Sequence, residues 1–302
     1  MARLALIGLL AVAAGAASGS SPRLVARIPT GVGPGGAVSG FGAVWVTNDR
    51  SGTLVRIDPR ENAVTRRIPL QPGVFSVAAG FGRLWAINYE RGSLARIDPA
   101  SGRVRTVRVG AAPDDVLAAF GRVWVTAWDA GTLVEVEPRS LRVVRRIRVG
   151  RKASGLRAAA GAVWVGFGGS ATAIARVVPR TGVIERVSVG SQTPALFVAG
   201  TRDLWIKAGD HELVRVDPAT RRVLARRSFG RTLAVGALAQ DGTLWVPDKE
   251  QDLVYRFDPS TAQVEGSFAA GRGAFVALRS AGSMWVTSYA GDDVWRFAPA
   301  PP

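Results

Sequence analysis

An all-β, seven-bladed β-propeller with four-stranded antiparallel blades is the fold class this sequence predicts. Three observations predict it. A tryptophan recurs every 39 to 41 residues, a proline marker keeps step with it, and each interval holds four short apolar runs. Such self-similarity at a period near 40 residues marks a repeat architecture whose units stack into one core.

The tryptophans are Trp45, Trp85, Trp124, Trp164, Trp205, Trp245 and Trp285, in the strings VWV, LWA, VWV, VWV, LWI, LWV and MWV. The prolines follow at Asp58-Pro59, Asp98-Pro99, Glu137-Pro138, Val178-Pro179, Asp217-Pro218, Asp258-Pro259 and Ala298-Pro299. Apolar residues on both sides of each tryptophan require a strand buried on both faces. A blade packed between two neighbours provides that, whereas a sheet with one wet face would show alternation. Asp-Pro suits a β-turn, because the carboxylate accepts from a nearby backbone N–H and proline presets φ.

In the second unit the four runs are 74–79, 84–88, 93–97 and 104–109, separated by Gly80-Phe81-Gly82, Glu90-Arg91-Gly92 and the Asp98–Gly102 turn. Runs of five or six residues between Gly, Pro and Asp clusters are strands. The seventh unit ends at 293–298 without a fourth run. Residues 23–29, RLVARIP, resemble fourth-strand segments such as 143–149, so this N-terminal strand is expected to complete the last blade and remove an open edge.

Residues 1–20 read as a signal peptide: Arg3, an apolar run over 4–17, and an Ala14-Gly15-Ala16 cleavage pattern. An uncleaved anchor is the alternative, although a span needs about 20 apolar residues. Residues 21–302 are expected to form a single propeller domain, secreted or periplasmic. Cysteine is absent, which says nothing about redox compartment. The net charge is +16, and only Lys152, Lys207 and Lys249 of 39 basic residues are lysine.

The segment Val44-Trp45-Val46-Thr47-Asn48, followed by Gly52 to Pro59, resembles the YVTN repeat of YncE-like bacterial propellers. The unit is also similar to those of streptogramin B lyases. The resemblance spans about residues 23–299 and implies a closed propeller with its working surface on one face around the channel. Those lyases resemble a metal-assisted site built on histidines and glutamates. This chain departs from that pattern, because His211 is its one histidine.

In a propeller, loops from strand two to three and from strand four to the next blade share a face, and loops on rigid scaffolds often carry binding. The candidate ligand face is Asn48, Asn88, Tyr89, Asp115, Trp128, Asp129, Lys207, His211, Asp248 and Tyr289. Trp128 stands out because it lies outside the tryptophan register. The plainer reading of each residue is a solvated loop. Asp114-Asp115 is a weak carboxylate pair, since neighbours in an extended segment point apart. No nucleophile constellation, P-loop or zinc spacing occurs, so no catalytic residue, cofactor or metal ligand is expected.

The fourth runs hold sixteen arginines. Arg103, Arg105, Arg145, Arg146 and Arg148 form a candidate polyanion rim; the competing reading is charge that protects sheet edges. Three readings of function follow. The preferred one is a binding or scaffold propeller taking a small molecule, peptide or polymer at the channel face. The others are a metal-dependent lyase and a binder of DNA or an anionic envelope polymer. A monomer without stable membrane insertion is expected.

Overall fold

The computed structural model describes residues 21–209, 211–228 and 232–298; the signal-peptide expectation lies outside the described residues. Seven four-stranded antiparallel sheets form a ring. Blade 1 comprises Pro34–Gly40, Ala43–Asn48, Thr53–Asp58 and Ala63–Pro69 in spatial order from the channel outward. Blade 3 repeats this with Pro113–Ala119, Arg122–Ala127, Thr132–Glu137 and Arg142–Arg148. The seventh blade takes its outermost strand from the N-terminus: Arg23–Pro29 pairs with Asp293–Ala298, with Ile28 opposite Val294.

Every repeat tryptophan lies on the second strand of its blade and is at most 2% exposed. Each belongs to the seam with the following blade. Trp45 packs with Val74, Leu84 and Ile97 of blade 2, and Trp285 closes the ring against Val44, Val55 and Ile57 of blade 1. Burying an indole of about 150–250 Å² yields at most about 4–6 kcal/mol per seam. The ring nitrogen also works: Trp45, Trp85, Trp124, Trp164 and Trp285 donate to the carbonyl of the residue five positions earlier, at 3.0–3.1 Å. The indole therefore ties its strand to the preceding hairpin as well as filling the seam.

The Asp-Pro turns form as their chemistry requires. Asp58 accepts from Arg60 N at 2.9 Å, and Asp98 from Ala100 N and Ser101 N. These bonds hold the Asp58 and Asp98 carboxyls below the usual range. Glu137 drops to about 2, chiefly through Ser140. Blade 6 departs from the repeat, because its innermost strand is only Ala237–Leu238. There Gly236 lets the backbone approach the Trp245 carbonyl, and Val235 bridges directly to Val276 of blade 7.

Candidate binding face

Loops from the second to the third strand and from the fourth strand to the next blade do share one face, here the upper face. Backbone hydrogen bonds run from loop to loop along it: Asp49 N to Gly33 O, Gly73 N to Asp49 O and Tyr89 N to Gly73 O. A parallel chain links Ala112, Trp128, Lys152 and Gly168. Close approach requires glycine at the turn. A Cβ on Gly131, at φ +62°, would lie 2.7 Å from the Gly150 backbone. The loops are thus a rigid platform.

The mouth of the channel is lined by the innermost strands. Each innermost strand of blades 1 to 5 and 7 carries a register shift near its upper end, as between Pro113 and Val116. The first residue within the shift is Gly35, Phe75, Asp114, Ser154, Ala195 and Phe275 in blades 1, 2, 3, 4, 5 and 7. Gly35 and Gly36 leave room for a neighbour: a Cβ on Gly35 would lie 3.0 Å from the Phe75 ring. Phe75 and Phe275 meet over blade 1 with centroids 5.5 Å apart, and Tyr89 and Tyr289 flank them at 6.5 and 6.2 Å. Asp49, 5% exposed, accepts from both phenols, at 3.2 Å from Tyr89 and 2.6 Å from Tyr289. Burial first, and then Asp49, pushes both phenols up, Tyr289 to about 12. Four rings and a carboxylate thus form one arc over blades 7, 1 and 2.

Beside this arc, on the next blade, stand Asp114 and Asp115. They lie on the innermost strand of blade 3 and not in the preceding loop, where sequence spacing had put them. Each has its own partners. Asp114 accepts from Ser154 Oγ at 2.6 Å. Asp115 accepts from Ser76 Oγ at 2.5 Å, Val116 N at 2.8 Å and Leu156 N at 2.7 Å. Both carboxylates accept from blade 4, at Ser154 and Leu156, and their charges interact. Burial pushes Asp114 up to about 6 against the Ser154 hydrogen bond, with the Asp115 charge adding to the rise. Burial also raises Asp115, opposed by its three donors. Both are half-buried, so the enclosure is that of a channel wall open at its mouth.

The other sequence candidates divide. Asn48, Asn88 and Asp248 are buried at the ends of second strands and hold loops in place. Asn48 Nδ2 donates to Thr53 Oγ1, Asn88 Nδ2 donates to Pro72 O, and Asp248 accepts from Glu250 N and Gln251 N. Trp128, despite being out of register, is packed: its six-membered ring lies where a side chain on Gly168 of blade 4 would be. Asp129 and His211 are exposed on upper-face turns. Lys207 is half-buried at the register position of Thr47, Thr126 and Thr287. Phe75, Phe275, Ser76 and Ser154 complete the mouth and were not among the sequence candidates.

The rim also divides. Arg145 pairs with Glu135 at 2.7 Å and donates to Pro179 O at 2.6 Å, and Arg146 donates to Val109 O. The same device recurs as Arg67 to Thr30 O, Arg186 to Val149 O and Arg226 to Val189 O. Arg66, Arg96, Arg215 and Arg296 reach forward to carbonyls in the proline turn of the next blade. Much of the arginine surplus thus ties blade to blade. Arg103, Arg105 and Arg148 are exposed.

Residues 15–128 match the family model described as "Repeat of unknown function (DUF6923)". No curated protein matches the chain. Among solved structures, virginiamycin B lyase from Staphylococcus aureus is similar, at 14% identity and a TM-score of 0.79, over 92% of this chain and 99% of that one. A catalytically inactive variant of that enzyme with quinupristin aligns at 15% identity and 0.76, over 88% and 94%. Kuenenia stuttgartiensis hydrazine synthase aligns at 11% and 0.78, over 90% and 97%. The chain is thus a repeat propeller structurally similar to virginiamycin B lyase. At such identities the likeness is one of fold alone. Among the described residues no three His, Asp or Glu side chains gather in a way that could hold a metal ion.

Proposed function

We propose that the protein is a binding propeller whose upper channel mouth takes a ligand carrying a cationic nitrogen next to an aromatic or apolar group. One observation carries this reading: the Tyr89–Phe75–Phe275–Tyr289 arc runs directly into the Asp114–Asp115 wall, joined to it by the bond from Ser76, the residue after Phe75, to Asp115. A cation gains from a carboxylate and from aromatic faces, and gains more where water is thinned out. The N-terminal sequence supports an extracytoplasmic setting, and the Val44–Asn48 and Gly52–Pro59 strings support a YVTN-type repeat of the YncE-like kind.

Calorimetric titration with phenethylamine and its neutral analogue phenethyl alcohol tests the reading. The amine should bind, the alcohol at least tenfold more weakly, and Asp114→Asn should abolish the difference. Amine binding should strengthen between pH 5 and pH 7.5 as Asp114 ionises near 6. Equal binding of both compounds, or of neither, overturns it. Linearisation of quinupristin by the protein would replace it with the lyase reading. Salt-sensitive DNA binding lost on neutralising Arg103, Arg105 and Arg148 would favour the polyanion reading.

A further inference from the structure

The lower face carries a feature that neither the fold nor the channel mouth uses. The hairpins joining first and second strands in blades 1, 2 and 3 have Phe41, Phe81 and Phe120 at their tips, with φ of 54°, 55° and 53°. They are 43%, 45% and 46% exposed. A left-handed conformation is unfavourable for a bulky residue, and such two-residue turns favour Asn, Asp or Gly. The equivalent turn positions in blades 4 and 7 are Ala160 and Ala281, also at positive φ. The turn itself therefore has no need of a ring.

The three tips are neighbours. A Cβ on Gly40 would meet Ala79 Cβ at 3.1 Å, and one on Gly80 would meet Ala118 Cβ at 2.5 Å, so consecutive hairpins touch at their bases. The rings stand on projecting turns, with Phe41 and Phe120 each overhanging an open groove between blades. The charge around them is positive. Arg83 and Arg122 fold back onto their own turns, donating to Gly82 O and Gly121 O. Arg60, Arg103, Arg139 and Arg180 are exposed on the proline turns of the same face in blades 1 to 4. Of the acidic groups there, Asp58 and Asp98 hold turn N–H groups and pair with Arg56 and Arg83, Glu137 holds Arg139 N and Ser140 N, Glu135 pairs with Arg122, and Glu61 is exposed beside Arg60; the exposed arginines outnumber it.

We propose that this face docks the protein peripherally on an anionic lipid bilayer, with Phe41, Phe81 and Phe120 inserted at the headgroup boundary and the surrounding arginines on the lipid phosphates. Projecting apolar side chains ringed by arginine suit a soft, negatively charged interface, in which each ring finds its own depth. The proposal is independent of the channel-mouth reading, which concerns the opposite face.

Vesicle co-sedimentation of the purified protein tests it, with phosphatidylcholine vesicles holding 30% phosphatidylglycerol beside pure phosphatidylcholine. Binding is expected to the anionic vesicles and to be at least tenfold weaker to the neutral ones. The triple variant Phe41→Asn, Phe81→Asn, Phe120→Asn should lose at least tenfold of that binding. Asparagine accepts the turn conformation, so its melting temperature should be equal to the parent's or higher. A second variant, Arg103→Gln with Arg139→Gln and Arg180→Gln, should bind more weakly at low salt. Failure to sediment with anionic vesicles at low salt overturns the proposal. So does full binding by the triple Asn variant, which would reduce the effect to charge. A parent that self-associates in free solution, and a triple variant that does not, would assign the phenylalanines to a contact between copies of this chain.

Discussion

At the scale of single residues, Asp114 is the group whose chemistry the fold changes most. Its carboxyl ionises near 3.8 when unperturbed and near 6 in the folded protein, because the channel wall removes water from the charged form. The folded state therefore holds this proton more tightly than the unfolded chain does. The contribution of Asp114 to stability is greatest below about pH 4 and is lost as pH rises through 6. A shift of two units corresponds to at most about 3 kcal/mol. Asp114→Asn should therefore stabilise the protein by about 1–3 kcal/mol above pH 7 and flatten the decline between pH 4 and 7. Urea melts of both proteins at pH 4.5 and pH 8 check this, and parallel pH profiles would exclude it. The residue was legible in the sequence but its place was not. Gly35, Phe75, Asp114, Ser154 and Phe275 each stand ten residues before a repeat tryptophan. Read as a column, that position already varies from glycine to aromatic to acid. Which side of a strand it occupies depends on a register shift that spacing does not show.

At the scale of elements, the fourth strands show why a count of charges says little about their use. Arg146 and Arg148 lie two residues apart on one strand, and both are exposed. Yet Arg146 reaches the Val109 carbonyl of the previous blade, while Arg148 makes no bond of that kind among the described residues. A hydrogen bond from a charged donor is worth about 1.5–3 kcal/mol where it is shielded, and less near water. Arg146→Ala should thus cost about 1 kcal/mol, and Arg148→Ala should stay within about 0.5 kcal/mol. Chemical denaturation midpoints separate the two, and equal effects would remove the tie. The recurrence of this bond in four blades makes the arginine bias partly structural, which the sequence could suggest only as edge protection.

At the scale of the whole molecule, closure rests on one strand. Ile28 is 3% exposed and packs with Val44 and Trp285, so the N-terminal strand joins the core of the seam between blades 7 and 1. Upper-face bonds reinforce that seam: Gly33 N donates to Asp292, Tyr289 donates to Asp49, and Arg50 pairs with Asp292 at 3.4 Å. Ile28→Ser leaves a cavity and a buried hydroxyl, at a cost of about 3 kcal/mol or more. It should also leave a frayed edge able to pair with another chain. A lower melting temperature together with a new dimer peak in size-exclusion chromatography is the expected outcome; an unchanged melt would mean that the strand is not needed for closure.

Blade number, strand order, the proline turns and the closing strand were decided by the sequence alone. Each depends on local pattern repeated seven times: apolar runs, turn chemistry and one tryptophan per unit all agree. The face carrying the loops followed from that same topology. Only the tertiary structure decided what the face is made of. Phe75 and Phe275 meet because Gly35 leaves a gap between them, and Tyr89 and Tyr289 share Asp49 although 200 residues separate them. Asp114 is raised by a wall assembled from two blades. These are contacts between units that lie far apart along the chain. A repeat specifies how each unit folds, while the ring determines which side chains of different units come within reach of one another.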